Sequence, residues 1–151
     1  MKEFNSVEDI LDFAINAEQE AVDFYSDLAS RSKNDQIKKV FREFAGEEMK
    51  HKSRLLNIRE EKSLKLSDET VRDMKIADYL VDVVPKPDMA YSDALILAMK
   101  KEKYAFRLYS FLSEETMDPL MKGLFLTLAL EESRHKLRFE LEYDEYVLKE
   151  N

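Results

Sequence analysis

Apolar residues recur every three or four positions along the chain, which is the pattern of amphipathic helices. The first stripe predicts a helix from about Ser6 to Arg31, with Ser6 as its N-cap. The polar residues 32–35 interrupt the stripe, and a second helix is expected to follow to about Glu61. Because the break is short, the two helices are predicted to form an antiparallel hairpin.

The second half of the chain repeats this arrangement. A third long helix is expected to open at Tyr91 or Ser92, and the residues 116–119 break the apolar pattern. Pro119 suits the first turn of the next helix, which is expected to continue to about Leu148. The chain is therefore predicted to be all-α, a four-helix bundle made of two hairpins.

Residues 62–90 join the two hairpins and are too many for a simple turn between helices. Ser67 is a helix-start signal, and a short helix is expected across 71–84 before the prolines of 85–87 end it. We interpret this segment as a crossover within one domain that spans 1–151.

Composition agrees with a helical protein and excludes several functions. There are only two Gly and three Pro, with 44% hydrophobic and 37% charged residues, as in long amphipathic helices, and a helical domain of 151 residues is expected to bury one apolar core. The net charge of −8, without a basic cluster, argues against nucleic acid as a partner. Neither a signal peptide nor a membrane span is indicated, and a cytoplasmic protein is expected.

A shift of 84 residues aligns the chain with itself. It places the first hairpin on the second, so each half is expected to carry the same pair of helices. The aligned positions include Glu18 with Glu102, Tyr25 with Tyr109, Glu48 with Glu132, and His51 with His135.

The two histidines of the chain both follow a glutamate by three residues, in "EEMKH" and "EESRH". Residues three apart lie on one face of a helix, so Glu48 can reach the same point as His51. Glu18 and Glu48 are equally far from the first turn, about 15 residues or roughly 22 Å, so they face each other across the hairpin. The same spacing holds for the second hairpin.

Docking the two hairpins would bring four carboxylates and two imidazoles to one level of the bundle. Buried without partners, these charges would be prohibitively costly, whereas a pair of metal ions removes the penalty. This ligand arrangement is typical of ferritin-like di-iron and di-manganese proteins. Two iron ions are the expected cofactor, with manganese or zinc as substitutes, because carboxylate oxygens with two imidazoles suit iron or manganese. Structural zinc sites often use thiolates, and the chain has no cysteine.

The stretches "AEQEAVDFY", "FAGEEMKHK", "KKEKYAFRLY" and "LALEESRHK" resemble the rubrerythrin family of the ferritin-like superfamily. The resemblance covers all four long helices, from about residue 6 to 148. It implies six metal ligands, which are Glu18, Glu48, His51, Glu102, Glu132 and His135.

The resemblance also implies roles for these residues. Glu48 and Glu132 would bridge the two ions, and the other four ligands would be terminal. Tyr25 and Tyr109 match tyrosines that hydrogen-bond ligand carboxylates in the family, which makes them candidates for a catalytic role. The alternative, that both tyrosines are simply core aromatics, stays open at this point.

The chain departs from the rubrerythrin pattern at two points. Rubrerythrins carry a further glutamate three residues after the first ligand of the third long helix, and here that position is Ala105. They also often have a cysteine-ligated rubredoxin domain, and this sequence has no cysteine. Electrons are therefore expected from an external, rubredoxin-like donor protein.

The resemblance predicts an oxidoreductase that reduces hydrogen peroxide, or less efficiently dioxygen, to water. One alternative is a ferroxidase linked to iron storage or detoxification, and another is a helical metal-dependent sensor or scaffold without turnover. A homodimer is expected. Phe139, Tyr143 and Tyr146 are interpreted either as a cover for the bundle end or as a dimer surface.

Glu47 and Glu131 each precede a predicted ligand by one residue, about 100° around the helix. They are interpreted as surface residues or as partners of the ligands. Glu20 lies about 200° from Glu18 and is expected to be solvated.

Overall fold

The computed structural model describes residues 3–150 and is helical, without a strand in that range. Its α-helices are α1 (Val7–Arg31), α2 (Asp35–Glu61), α3 (Asp68–Asp73), α4 (Tyr91–Glu115) and α5 (Pro119–Glu150). Helix α1 packs along α2, and α4 packs along α5. The predicted bundle of two hairpins is confirmed, and the bounds of the long helices agree with the sequence to within a few residues.

The helix ends follow from local hydrogen bonds. The Ser6 hydroxyl accepts from the backbone N–H of Asp9 at 3.1 Å, as the sequence predicts for an N-cap. Asn34 caps α2 by accepting from two backbone N–H groups at 2.9 and 3.2 Å. Helix α4 begins at Tyr91 without a side-chain cap, and Pro119 is the first residue of α5.

The crossover differs from the prediction. Ser67 caps α3 as expected, but this helix ends at Asp73, and only a 3₁₀ turn at Ile76–Asp78 follows. The helix predicted across 71–84 was therefore wrong beyond Asp73. The reason is that Met74 and Ile76 are both buried, and residues two apart cannot point to the same side of an α-helix.

Two apolar clusters form the interior, where one core was expected. One joins the start of α1 to the end of α2 and contains Leu11, Leu55, Leu112 and Phe125. The other lies at the opposite end of the bundle and is built from Tyr25, Phe41, Phe44, Ala98, Phe139 and their neighbours. Between them lies a belt of charged side chains, which interrupts the apolar packing.

The aromatic residues near the C-terminus cover one end of the bundle. Phe139 is fully buried, with its ring 5.0 Å from that of Tyr25. Tyr143 packs against the same cluster, and Tyr146 lies 5.1 Å from Tyr91, ring to ring. Within the described residues, no helix is long and apolar enough to cross a membrane.

Candidate metal centre

All six side chains that the sequence predicts as ligands meet inside the bundle, between the two apolar clusters. Each is at most 2% exposed to solvent. Helix α1 provides Glu18, α2 provides Glu48 and His51, α4 provides Glu102, and α5 provides Glu132 and His135.

The six side chains form two overlapping groups, each with three carboxylates and one imidazole. Glu18 and His51 belong to one group, and Glu102 and His135 to the other, while Glu48 and Glu132 belong to both. Within each group, one ligand atom per residue lies within 4.8 Å of all the others. Each group therefore has the composition and spacing to hold one metal ion.

The imidazole of His51 turns its Nδ1 edge toward the carboxylates. Nδ1 lies 3.2 Å from Glu132 Oε1, 3.4 Å from Glu48 Oε1 and 3.6 Å from Glu18 Oε2. The directions do not suit a hydrogen bond, and Nδ1 has no hydrogen-bond partner. The nitrogen points to the space that the carboxylates share.

His135 has the matching arrangement in the second half. Its Nδ1 lies 3.3 Å from Glu48 Oε1, 3.7 Å from Glu102 Oε1 and 3.8 Å from Glu132 Oε1, again without a hydrogen bond. Buried polar atoms are normally hydrogen-bonded, so such convergence of partnerless atoms fits metal ligands. Carboxylate oxygens with imidazole nitrogens suit iron or manganese.

The other edge of each imidazole contacts the opposite hairpin. His51 Nε2 pairs with Glu131 of α5, and His135 Nε2 pairs with Glu47 of α2. The side chains of Glu131 and Glu47 are 31% and 33% exposed, so they connect the buried imidazoles to the surface. The structure thus decides the question left open by the sequence: both glutamates are partners of the histidines.

This pairing determines which nitrogen of each imidazole can bind a metal. In the neutral imidazole, a carboxylate that faces Nε2 favours the Nε2–H form and leaves Nδ1 available to bind a metal. Burial raises the pKa of Glu47, but contacts with His135 and Arg134 outweigh it and lower the pKa overall. Arg134 also donates to Glu47 at 2.8 Å.

The hydroxyl groups of the two tyrosines form hydrogen bonds between α1 and α4. The Tyr25 hydroxyl donates to Glu102 Oε1, and the Tyr109 hydroxyl donates to Glu18 Oε1 at 2.5 Å. Burial, followed by the neighbouring carboxylates, raises the pKa of both tyrosines well above 10. They therefore remain proton donors, and each holds one oxygen of a predicted terminal ligand while the other oxygen, Oε2, has no partner.

Burial also raises the pKa of carboxyl groups in the cluster. It is the main cause that raises the pKa of Glu48 and Glu132 well above the ordinary value, and the neighbouring carboxylates raise it further. Burial raises the pKa of Glu102 as well, although contacts with His135 and Tyr25 oppose it. Without metal, ionising these groups together is unfavourable.

The same charges act in the opposite direction on the histidines. Burial lowers the pKa of His51, but contacts with Glu18, Glu48 and Glu131 outweigh it and raise the pKa to about 9. The pKa of His135 rises to about 10 for the same reason. In the metal-free protein, protonated imidazoles therefore offset part of the carboxylate charge.

A cavity of about 230 Å³ reaches the cluster from the side where α1 faces α4. Residues 79–81 of the crossover lie along it, so this segment helps to form the site as well as connecting the hairpins. Sequence reasoning missed that role, because residues 79–81 have neither a motif nor an apolar period. Glu20, expected to be solvated, is 71% exposed and stands at the same cavity.

The family model for rubrerythrin matches residues 9–143 of the chain. The chain belongs to the rubrerythrin family. The match includes all six predicted ligands and both crossed tyrosines. Family membership, together with the buried carboxylate and histidine cluster, supports a protein of the di-iron type.

Solved structures show how this rubrerythrin-family chain compares in fold. A Thermotoga maritima protein, provisionally described as a ferritin-like diiron-carboxylate protein, has 22% identity and a TM-score of 0.74, with 97% of this chain and 99% of that chain covered. A hypothetical protein from Pyrococcus furiosus has 27% identity and a TM-score of 0.73, with 92% and 89% covered. The fold is thus the predicted ferritin-like bundle. No curated protein matches the chain.

The raised pKa values of the histidines predict how stability depends on pH. A group whose pKa is higher in the folded than in the unfolded state stabilises the fold fully below its unfolded pKa, and this contribution is lost as pH rises through the folded pKa. For His51 and His135 the window runs from 6.5 to about 9 and about 10. We expect the melting temperature of metal-free protein to fall across this window.

Metal-loaded protein should respond differently, because metal ligands must be deprotonated and metal affinity therefore rises with pH. The gap in melting temperature between zinc-loaded and metal-free protein should widen from pH 6.5 upwards. Calorimetric melts of both forms across this pH range measure the gap. A gap that stays constant or narrows would contradict the prediction that the histidines bind metal.

The contacts of Glu47 and Glu131 predict a second effect. Replacing both by glutamine removes the carboxylates that orient the imidazoles, and partners of this kind typically contribute about 10–100-fold to metal affinity. We expect Glu47→Gln with Glu131→Gln to weaken zinc binding by about that factor, measured by competition with a chelator. Glu43→Gln, at an exposed position of α2, is the control. Equal zinc affinities in the double variant and in the unmutated protein would contradict this prediction.

Proposed function

We propose that this chain binds two iron ions through the six clustered side chains and reduces hydrogen peroxide to water with electrons from a separate donor protein. One observation carries the metal-binding part: every predicted ligand contributes a buried polar atom without a hydrogen-bond partner. These atoms are Glu18 Oε2, Glu48 Oε1, His51 Nδ1, Glu102 Oε2, Glu132 Oε1 and His135 Nδ1.

The overlap of the two groups supports the proposed roles. Glu48 and Glu132 belong to both groups, as bridging ligands would. Glu18 and Glu102 each belong to one group and use their second oxygen to accept from a tyrosine, as terminal ligands would. The donor set of oxygen and nitrogen atoms favours iron, with manganese and zinc as substitutes.

When bound, two ferrous ions supply together the two electrons that peroxide reduction requires. The chain contributes orientation and exclusion of water. Tyr25 and Tyr109 hold the carboxylates of Glu102 and Glu18 in place, and the apolar clusters on both sides leave the α1–α4 cavity as the approach to the cluster. The expected donor protein, homodimer and cytoplasmic location stay predictions.

A second function, ferroxidase activity linked to iron storage or detoxification, is favoured by one observation. Ala105 lines the cavity beside the cluster, where a rubrerythrin would place a further carboxylate. A six-ligand centre can oxidise ferrous iron without that residue. Relative rates with peroxide and dioxygen distinguish the two functions.

The ligand set is tested by metal content. We expect about two ions per chain after anaerobic reconstitution, because six ligands exceed what one ion needs. Glu48→Ala with Glu132→Ala removes both shared ligands and should abolish tight binding. The matched control is Glu43→Ala with Glu145→Ala, at exposed positions of the same two helices. Unchanged stoichiometry in the first double variant would remove the basis of the proposal.

The reaction is tested by stopped-flow oxidation of the reduced di-iron form. We expect hydrogen peroxide to oxidise it faster than dioxygen does, and continued turnover to need an added electron-donor protein. Ala105→Glu should slow the dioxygen reaction relative to the peroxide reaction, whereas Ala90→Glu, at an exposed position outside the cavity, should leave the ratio unchanged. Equal rates in the unmutated protein would instead support the ferroxidase function.

A further inference from the structure

The cavity beside the cluster is larger than hydrogen peroxide requires. It measures about 230 Å³ and is lined by the carboxylates of Glu18, Glu48, Glu102 and Glu132 at its inner end. An engineered apolar cavity of roughly 150 Å³ holds benzene, so the volume beside the cluster exceeds what a compact alkyl group needs.

The wall between the surface and the carboxylates is mostly apolar. Asn16, Tyr79 and Tyr104 also line the cavity, but most of its wall is formed by apolar side chains, which include Phe13, Ala14, Ala21, Leu108 and Ala105. The methyl group of Ala105 leaves space next to the cluster. The apolar side chains offer no hydrogen bonds to a polar guest, so the space beside them suits a compact alkyl group better than a row of water molecules.

The outer end of the cavity leads to the surface between α1 and the crossover. Glu20, Leu80, Val81 and Lys101 line both this cavity and a larger groove outside it. Lys101 is largely buried and lies 3.9 Å from Glu20, so the two side chains flank the passage without closing it by a tight ion pair. A molecule larger than peroxide therefore has a route to the cluster.

We propose that the centre accepts organic hydroperoxides with a compact alkyl group, which occupies the apolar cavity while the hydroperoxide oxygens face the carboxylate cluster. This inference rests on the proposed function. The oxygen–oxygen bond breaks and takes up two protons from solvent and two electrons, which the bound metal pair would supply and the external donor would replace. The products are one alcohol and one water molecule.

Binding is tested first, without turnover. Zinc-loaded protein is redox-inert, and tert-butanol, the alcohol product of tert-butyl hydroperoxide, serves as the probe. We expect saturable NMR shifts of the methyl groups of Ala21, Ala105 and Leu108 on titration. Ala105→Leu fills the cavity and should weaken binding by about tenfold or more, whereas the exposed Ala90→Leu should bind as the unmutated protein does. Shifts that never saturate, or that persist in Ala105→Leu, would overturn the proposal.

Reactivity is tested by stopped flow with the reduced di-iron form. We expect Ala105→Leu to lower the rate with tert-butyl hydroperoxide by about tenfold or more, while the rate with hydrogen peroxide changes much less. Ala17→Leu, at an exposed position on the rim of the cavity, should also lower the rate with tert-butyl hydroperoxide. It replaces Ala105→Leu in this test if that variant does not fold.

The two proposals fail in different ways. If hydrogen peroxide oxidises the protein but tert-butyl hydroperoxide does not, the cavity proposal fails and the proposed function stands. If neither peroxide reacts, the proposed function fails, and the tert-butanol titration still decides whether the cavity binds an alkyl group. Equal loss of both rates in the cavity variants would also overturn the cavity proposal, since it would show damage to the cluster itself.

Discussion

The burial of four carboxyl groups and two imidazoles at one level of the bundle is the constraint on which the rest of this structure depends. Charged groups removed from water are stable only when other groups or ions compensate them. Part of the compensation comes from the protein: tyrosines donate to Glu18 and Glu102, and glutamates pair with the imidazoles. The inward-facing atoms lack partners, and a metal pair would provide them.

This constraint explains why the interior is divided into two apolar clusters. Apolar side chains cannot pack through a charged belt, so each end of the bundle has its own cluster, and each supports one side of the belt. The contacts that hold the belt all cross between hairpins, because Tyr25 reaches Glu102 and His51 reaches Glu131. The geometry of the centre thus depends on how the hairpins dock.

The sequence predicts the long helices and the convergence of the six side chains, because helical periodicity and equal distances from the turns determine both. It does not predict which partner each polar group finds. Glu131 contacts a histidine on another helix, and no local spacing encodes that contact. The crossover was mispredicted beyond Asp73 for a related reason: burial of Met74 and Ile76 overrides the local helix pattern. Residues 79–81 gain their place at the cavity only through the docking of the hairpins.

The two hairpins also have a consequence for the origin of this protein. A shift of 84 residues relates them, and the tyrosine–carboxylate and histidine–glutamate contacts of the centre recur under that shift, with the two partners exchanged between halves. Each hairpin contains one half of the centre: two predicted ligand glutamates, one histidine, one tyrosine and the glutamate that pairs with the histidine of the other hairpin. Two identical hairpins related by a twofold axis would therefore supply the complete set, so the symmetric centre is compatible with an ancestor that assembled as a dimer of hairpins before duplication and fusion joined them. Ala17 and Lys101 are equivalent under the shift and both line the cavity, so this wall is a place where the two halves have diverged.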